Sequence, residues 1–249
     1  MILIKSPREI EAMRRAGAVV GQFFEEVRPL IRPGITTWDL EEFADRYIRR
    51  CGVGTAFKGY MGYPAHICAS LNDTVVHGIP SKERVIREGD ILSIDFGVLK
   101  DGFYGDAAKT FAVGEIDPDS ARLMETTEKS LFAGIEAARP GNRLGDISGA
   151  VQAVVEGAGY SVVRDFVGHG IGRSMHEEPQ VPNFGMKGTG PKLHPGMTLA
   201  IEPMVNAGGW AVKVQGDGWT VLTRDGSRSA HFEHTIAITE EGNEILSIP

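Results

Sequence analysis

Two stretches of the chain carry apolar residues at helical spacing, and a strand-like run that ends in an acidic residue follows each of them. The helical positions form one apolar face in each stretch: Leu40, Phe43, Ala44 and Tyr47, and then Ile147, Ala150, Val151 and Val154. The strand-like runs lead to Asp95 and to Glu202, and turn residues such as Asp225-Gly226 come after them. The pattern predicts a mixed α+β chain.

The two stretches are related by a constant offset of 107 positions. The pairs that share this offset are Gly34 and Gly141, Asp39 and Asp146, Gly52 and Gly159, Gly89 and Gly196, and Asp95 and Glu202. Short runs such as Pro-Gly can recur by chance in a chain with 32 Gly and 13 Pro, but several matches at one offset favour a duplication. We therefore expect one domain over residues 1–249, built from two similar halves of roughly 10–110 and 120–240 with a shared site between them.

The composition is typical of a chain that folds around a core, because 42% of its 249 residues are hydrophobic. The net charge of −7 argues against a nucleic-acid partner, since phosphate binding needs clustered positive charge. Lys5 interrupts the first apolar residues too early for a signal peptide, and no apolar run is long enough to span a bilayer. With only Cys51 and Cys68 in a chain of this size, we expect a reduced, cytoplasmic protein without a membrane partner.

Asp95 and Asp106 are predicted to share one face of a β-ribbon. Asp95 lies among apolar residues of a strand-like run, and Asp106 follows 11 positions later, beyond Lys100-Asp101-Gly102. A reversal around Lys100-Asp101 would place the two acids directly opposite each other, and a reversal one residue later would make them diagonal neighbours. In both cases two carboxylates on one buried face repel each other, so a cationic partner is required.

Glu202, Glu233 and His169 extend this acidic pair to a candidate metal site. Glu202 is the register equivalent of Asp95, and Glu233 lies in a second strand-like run of the same half. His169 is flanked by glycines, which suit a close approach of backbone to a site. Four carboxylates and one imidazole form an oxygen-rich set that suits Mn, Fe, Co or Zn better than Cu, and bridging carboxylates would let two ions share an activated water.

Each candidate ligand also has a simpler interpretation. A lone Asp in a strand is more often a turn-capping or ion-pairing residue than a metal ligand, and a lone His is more often held by hydrogen bonds. No short motif in the chain is as specific as His-Glu-x-x-His. Spacing alone leaves the metal interpretation and the structural interpretation open.

Seven stretches together resemble the methionine aminopeptidases of the short type without an amino-terminal extension, and the resemblance runs from about residue 4 to residue 248. The stretches are Gly59-Tyr-Met-Gly-Tyr-Pro, Asn72-Asp-Thr-Val-Val-His-Gly-Ile-Pro, Asp95 through Asp106, Gly168-His-Gly-Ile-Gly, His176-Glu-Glu-Pro-Gln-Val, Ile201-Glu-Pro-Met and Phe232-Glu-His-Thr. The resemblance implies the pita-bread fold, in which two pseudosymmetric α+β halves form a curved antiparallel sheet covered by helices, with a dimetal site at the seam. It also implies an aminopeptidase that removes the initiator methionine from nascent proteins.

The resemblance implies a role for each of the five candidate ligands. Asp95 chelates one metal ion, His169 and Glu202 hold the other, and Asp106 and Glu233 bridge the pair. A bridging hydroxide would attack the first peptide carbonyl, and Glu202 would shuttle the proton.

Auxiliary and pocket residues are implied in the same way. His176 would steady the carbonyl oxygen and the developing oxyanion, and His77 would face the substrate amide or the leaving group. The specificity pocket would be lined by aromatic, sulfur-bearing and imidazole side chains, namely Tyr60, Tyr63, Cys68, His77 and Trp219. Phe57 and Met175 stand where relatives commonly have a cysteine and a phenylalanine, which affects the shape of the pocket and not the chemistry. Without the resemblance, the aromatic residues would be interpreted as ordinary packing.

Further ligands and partners rest on the resemblance alone. Asn72 and Ser229 match positions where relatives bind a monovalent cation through backbone oxygens. The divalent ions would be two of Co, Mn, Fe or Zn, and the substrate would be the N-terminal Met of nascent polypeptides. A monomer is expected, and association with the ribosome follows by analogy.

Two other functions compete with this interpretation. A prolidase or proline-specific aminopeptidase of the same fold would share the five ligands, but such enzymes usually bring a large amino-terminal domain, for which this chain leaves no room. A non-catalytic binding module on the same fold usually lacks ligands, whereas all five candidates and both auxiliary histidines, His77 and His176, are present here.

Overall fold

The long helices begin at residues that suit a helix N-terminus, in a computed structural model that describes residues 1–249. The helices are α1 (Pro7–Val27), α2 (Thr37–Cys51), α3 (Pro118–Ala137) and α4 (Leu144–Gly157), with single 3-10 turns at Arg28–Leu30 and Tyr60–Gly62. Ser6 and Thr36 each accept a hydrogen bond from the third helical residue, whose acidic side chain bonds back to the cap. These capping boxes fix the starts of α1 and α2 by local sequence alone.

Fifteen strands pair only with antiparallel neighbours and form four sheets. The strands are β1 (Gly54–Thr55), β2 (Ile67–Leu71), β3 (Thr74–Val76), β4 (Ile91–Lys100), β5 (Phe103–Ala112), β6 (Ser161–Val162), β7 (Gly168–Gly170), β8 (Glu177–Val181), β9 (Thr198–Ile201), β10 (Met204–Asn206), β11 (Val212–Val214), β12 (Val221–Thr223), β13 (Ser229–His231), β14 (His234–Ile238) and β15 (Asn243–Ile245). In one large sheet β4 lies between β5 on one side and β2 and β1 on the other. The other large sheet has the order β15-β14-β9-β7-β8, and two small sheets have the orders β13-β10-β6 and β11-β12-β3.

The two halves of the chain repeat one arrangement. Helices α2 and α4 begin 107 positions apart, as do the central strands β4 and β9. Isolated bridges join Thr36 to Val85 in the first half and Arg143 to Lys192 in the second half, again at the same offset. The three-strand unit β5–β4–β2 corresponds to β14–β9–β7. The pseudosymmetric α+β halves and the antiparallel sheets expected from the sequence are confirmed.

The β4–β5 hairpin settles how Asp95 and Asp106 face each other. Lys100 pairs with Phe103, so Asp101 and Gly102 form a two-residue turn with positive φ angles of 52° and 79°. Asp106 is then opposite Gly97, and Asp95 is opposite Ala108. The two acids are diagonal neighbours, which is the second of the two registers considered from the sequence.

The second half departs from this hairpin. Strand β9 ends at Ile201 and its partner β14 begins at His234, and the intervening chain forms β10 to β13. The Asp225-Gly226 turn therefore lies between β12 and β13. It does not join β9 to β14, whereas the turn of the first half joins β4 to β5. Their pairing, with His234 opposite Ile201, still brings Glu202 and Glu233 to neighbouring strand ends.

Separate cores lie beneath the two halves. In the first half, Phe23 of α1 stacks on Phe96 of β4 with ring centroids 3.8 Å apart. In the second half, Ile147 of α4 and Leu131 of α3 belong to one buried cluster with Ile201 of β9. No helix combines the length and the apolar character needed to cross a membrane.

The seam between the halves runs between β5 and the segment that leads into β14. The backbone N–H of Glu233 donates to the carbonyl oxygen of Ala108 at 2.8 Å, and the Thr235 hydroxyl donates to the carbonyl oxygen of Asp106 at 2.8 Å. Asp106 and Glu233 are therefore brought together by hydrogen bonds that cross from one half to the other.

At Gly17, the backbone of helix α1 comes very close to the backbones of β5 and of the 246–247 segment. A Cβ at Gly17 would overlap the carbonyl group of Leu246, and a Cβ at Gly105 of β5 would lie 2.8 Å from the backbone nitrogen of Gly17. The backbones of α1, β5 and the 246–247 segment approach so closely that only glycine fits at position 17.

We predict that Gly17→Ala lowers the free energy of unfolding by about 1–3 kcal/mol, because the added methyl group must displace backbone. Gly157→Ala is the matched control, since it adds the same methyl group near the end of α4 with no heavy atom within 4 Å. Alanine there should be neutral or stabilising by up to about 1 kcal/mol. Urea unfolding of the two variants and the parent protein measures both effects, and equal stability of the two variants would contradict the close approach.

Candidate metal centre and substrate pocket

The five predicted ligands lie on, or directly beside, paired strands of the two large sheets. Asp95 lies on β4 and Asp106 on β5, His169 lies on β7, Glu202 directly follows β9, and Glu233 directly precedes β14. Asp106, His169 and Glu233 are buried, and the Glu202 side chain is 14% exposed. All five side chains line one cavity.

Three of these residues form a tight group. Asp106, His169 and Glu233 each offer one ligand atom, and these three atoms lie within 4.8 Å of one another. Glu202 adjoins the group, with its Oε1 3.6 Å from Nε2 of His169. An ion at the centre would be within reach of carboxylate oxygens from both halves and of one imidazole nitrogen, a donor set that suits a first-row divalent metal.

The acidic residues have no cationic side chain to compensate their charge. Burial raises the pKa of Asp95 to about 7 and raises the pKa of Asp106 well above its usual range, where the charges of Glu233 and Asp95 add to the effect. The pKa values of Glu202 and Glu233 are raised by burial and then by neighbouring carboxylates. One oxygen each of Asp95, Asp106 and Glu233 is buried without a hydrogen-bond partner. A buried carboxylate oxygen without a hydrogen-bond partner is costly, and a bound cation would remove that cost. The residues present therefore fit a divalent metal.

His169 is held in the form that binds a metal. Burial, and then the neighbouring His176, lower its pKa to about 3, so the imidazole is neutral. Its Nδ1 lies 2.9 Å from the carbonyl oxygen of Gly170. Because a carbonyl oxygen only accepts, Nδ1 carries the proton and Nε2 presents its lone pair to the carboxylate cluster.

Several residues that support this cluster were not found from the sequence. Asn183 donates through Nδ2 to the backbone oxygen of Glu202 at 3.0 Å, and Thr235 fixes the backbone of Asp106. His231 is buried, and its Nε2 lies 3.7 Å from Oε2 of Glu202 without a hydrogen-bond partner. The spacing of two between His231 and Glu233 is a signal that could have identified His231, since alternate residues of an extended segment share a face.

The cavity in front of the cluster has a volume of about 600 Å³ and contains every predicted pocket residue. These residues are Phe57, Tyr60, Tyr63, Cys68, His77, Met175, His176 and Trp219. Six further lining residues were not predicted: Met61, Val167, Gly168, Glu177, Glu178 and Gln180. The size is in the range of small-ligand sites, and the apolar wall directly adjoins the acidic cluster.

The apolar wall is ordered by edge-to-face contacts. The ring of Trp219 packs edge-on against Tyr63 at 5.0 Å and against His77 at 6.0 Å. Burial, and then the charge of Asp95, raise the pKa of Cys68, so its thiol stays neutral and apolar. His77 has a positive φ of 59°, a strained backbone for a non-glycine residue, and burial lowers its pKa to about 4.

His176 connects the pocket to the acidic cluster. Its Nδ1 lies 2.8 Å from the hydroxyl oxygen of Tyr60, and its ring lies 4.3 Å from the ring of His169. Tyr60 was predicted only as part of the apolar wall. The structure adds a hydrogen bond that orients the imidazole of His176.

Asn72 and Ser229, the predicted monovalent-cation residues, are neighbours. The backbone N–H of Ser229 donates to the carbonyl oxygen of Asn72 at 2.8 Å, and Asn72 has a positive φ of 52°. The side-chain amide of Asn72 donates to Asp90 at 2.8 Å. The proximity agrees with a shared site, and the cation itself stays a prediction.

Comparison with known proteins assigns the chain to a class. The sequence pattern described as Metallopeptidase family M24 matches residues 11–240. A fold of two pseudosymmetric halves with acidic and imidazole side chains at their seam agrees with that match. The chain belongs to metallopeptidase family M24.

Within this family the similarity is to methionine aminopeptidases. The methionine aminopeptidase of Clostridium acetobutylicum is 53% identical over 248 residues, covering 100% of this chain and 99% of the relative. The crystal structure of methionine aminopeptidase from Thermotoga maritima is 53% identical and covers 100% of both chains with a TM-score of 0.98. The resemblance expected from the seven sequence stretches is confirmed.

A more distant structure shares the fold alone. The Xaa-Pro dipeptidase from Bacillus anthracis is 24% identical with a TM-score of 0.78, covering 98% of this chain and 62% of that protein. The pita-bread architecture expected from the sequence is confirmed by these neighbours.

We predict that Asp106→Asn lowers the affinity for divalent metal by at least about 100-fold. Removing a residue that only hydrogen-bonds to a metal ligand already lowers metal affinity by about 10- to 100-fold, and Asp106 is itself a candidate ligand. The thermal midpoint of the chelator-treated variant should equal or exceed that of the chelator-treated parent, since one of several repelling buried carboxylates becomes neutral. Calorimetric titration with Mn²⁺ and a thermal melt measure the two quantities. Asp101→Asn, the same change in the exposed turn of the same hairpin, is the control and should bind metal like the parent.

Proposed function

We propose that this enzyme removes the N-terminal methionine from polypeptides by metal-dependent hydrolysis. The observation that carries the proposal is the single cavity in which a cluster of four acids and one histidine adjoins a wall of aromatic and sulfur-bearing side chains. Similarity to methionine aminopeptidases over the full length of the chain supports the same substrate.

The metal ions would be held by the five residues at the seam. We infer two divalent ions, which Asp95, Asp106, His169, Glu202 and Glu233 would hold. Co, Mn, Fe and Zn are the candidates that suit carboxylate and imidazole donors. When bound, such ions polarise a carbonyl group and make water a stronger nucleophile at neutral pH.

Proton transfer is assigned to Glu202. Its carboxylate takes the proton of the attacking water as the new carbon–oxygen bond forms at the first peptide carbonyl. The same carboxyl group then gives the proton to the nitrogen of the departing chain as the carbon–nitrogen bond breaks. Its position at the border between the buried cluster and the cavity supports this role.

His176 is assigned to the carbonyl oxygen of the scissile bond. If the Tyr60 hydroxyl donates to Nδ1, then Nε2 carries the proton and can donate to the substrate oxygen. Negative charge develops on this oxygen during attack, so the hydrogen bond is strongest in the transition state. His77, which burial keeps neutral and which lines the same cavity, is assigned to the substrate amide or the leaving group.

The apolar wall is assigned to the methionine side chain. The wall offers aromatic faces and a neutral thiol, and its assigned residues are Tyr60, Tyr63, Cys68, Trp219 and His77, together with Phe57 and Met175. An unbranched thioether fills an irregular apolar pocket well and gains from contacts with aromatic edges. A charged first residue would lose its hydration there without compensation.

Several properties of the whole protein remain proposals. We infer one catalytic domain over residues 1–249, a cytoplasmic monomer that acts on nascent polypeptides, and association with the ribosome by analogy. Asn72 and Ser229 would bind a monovalent cation through their backbone oxygens. We also propose that the protein acts without a nucleic-acid or membrane partner.

We predict that His176→Ala lowers kcat by about 100- to 1,000-fold with a small change in KM, because the hydrogen bond acts on the transition state. His194→Ala is the matched control, since His194 is exposed and outside the cavity. Steady-state hydrolysis of Met-Ala-Ser measures both constants. An effect on KM alone would assign His176 to substrate binding.

The experiment that tests the proposed function is a metal titration of chelator-treated protein. We expect Mn, Fe, Co or Zn to restore release of methionine from Met-Ala-Ser, and an Xaa-Pro peptide to be a poor substrate. Preference for the Xaa-Pro peptide would replace the proposed substrate. Absence of both metal binding and activity with every ion would indicate a binding module.

A further inference from the structure

The wall of the cavity that carries His176 is a connection between strands. Residues 171–176, called here the His176 loop, join β7 to β8. Met175 and His176 at the end of this loop both line the cavity. The position of the loop therefore determines the pocket wall and the imidazole at the same time.

Glu177, directly after the loop, holds it through a buried carboxylate. Its Oε1 accepts from the backbone N–H groups of Arg173 at 2.8 Å and Ser174 at 3.2 Å. Its Oε2 accepts from Nζ of Lys5 at 2.5 Å. The side chains of Lys5 and Glu177 are only 5% and 6% exposed, so this ion pair is shielded from water.

Lys5 lies in a segment that is itself fixed. Its backbone N–H donates to the carbonyl oxygen of Gly196 at 2.8 Å, in the turn that leads into β9. Its side chain crosses Gly172 so closely that a Cβ there would lie 2.5 Å from Cε of Lys5 and 2.7 Å from Oε1 of Glu177. The chain before α1 is therefore packed directly against the start of the His176 loop.

Other hydrogen bonds hold the two ends of the loop. The backbone N–H of Ile171 donates to the carbonyl oxygen of Thr198 at 3.2 Å, and that of Tyr104 donates to the carbonyl oxygen of Gly172 at 2.8 Å. The Tyr60 hydroxyl lies 2.8 Å from Nδ1 of His176.

The second ion pair of the loop is weaker than the pair of Lys5 and Glu177. Arg173 pairs with Glu9 at 3.2 Å, but the side chain of Arg173 is 64% exposed. Exposed pairs contribute little, because solvent screens the charges and long side chains lose conformational freedom. The buried pair of Lys5 and Glu177 is therefore the ion pair that holds the middle of the loop, at residues 173 and 174.

We propose that Lys5 and Glu177 are positioning residues that hold Met175 and His176 in place for the reaction, an inference that rests on the proposed function. A buried ion pair is a poor source of stability, because desolvation offsets much of the attraction. It does impose one geometry, since a broken pair would leave a charge buried without a partner. The segment before α1 thereby becomes part of the active site.

The test compares Lys5→Met with Lys129→Met. Lys5→Met keeps the apolar stem and removes the charge, and Lys129→Met removes an exposed pair with Glu125 whose side chains are 66% and 63% exposed. We expect faster hydrogen exchange of the amides of residues 173–176 in Lys5→Met and a kcat/KM on Met-Ala-Ser about 10- to 100-fold lower. Lys129→Met should match the parent in both measurements, and metal content should be unchanged in both variants.

A second variant separates positioning from general stability. Lys5→Met combined with Glu177→Met removes both buried charges and the carboxylate that accepts from Arg173 and Ser174, so it should fold even if Lys5→Met does not. We expect its thermal midpoint to recover while loop exchange stays fast and kcat/KM stays low. Full recovery of kcat/KM together with the midpoint, or loop exchange at the parent rate in Lys5→Met, would overturn the proposal. A parent protein that is inactive on Met-Ala-Ser would overturn the proposed function and leave the exchange experiment as a separate test.

Discussion

The mutual repulsion of four buried carboxylates is the constraint on which the rest of the structure depends. Asp95, Asp106, Glu202 and Glu233 approach one another at the seam with no lysine or arginine among them, and burial raises the pKa of each. A divalent cation would offset this repulsion, and the surrounding backbone holds the carboxyl groups in place. Hydrogen bonds across the seam and two separate cores supply that rigidity.

The duplicated architecture explains how one site receives candidate ligands from both halves. The central strands β4 and β9 occupy equivalent positions. Asp95 and Glu202 stand at the same place in the sequence pattern that these strands share, 107 positions apart. The partner strands are less symmetric, because β5 follows β4 through a two-residue turn while β10 to β13 separate β9 from β14. One additional strand, β13, carries His231, whose Nε2 lies 3.7 Å from Oε2 of Glu202, so the departure from symmetry adds a residue beside the site.

The sequence predicted the main features of the fold and the candidate ligands for physical reasons. The apolar faces of α2 and α4 follow from local spacing, and the diagonal placement of Asp95 and Asp106 was one of two registers that the turn allowed. The supporting contacts could not be predicted in this way. The hydroxyl of Tyr60 forms a hydrogen bond with His176, which is 116 positions away in the sequence. The residues next to either one give no sign of this contact.

Sequence alone determined the repeat at 107 positions and the residue types at the seam, because both are properties of pattern and charge. Tertiary structure alone decided which of these residues touch. Lys5 and Glu177 are 172 positions apart and become partners only when the chain before α1 crosses Gly172. A buried ion pair depends on distance, desolvation and available space at once, and these quantities exist only after the chain has folded.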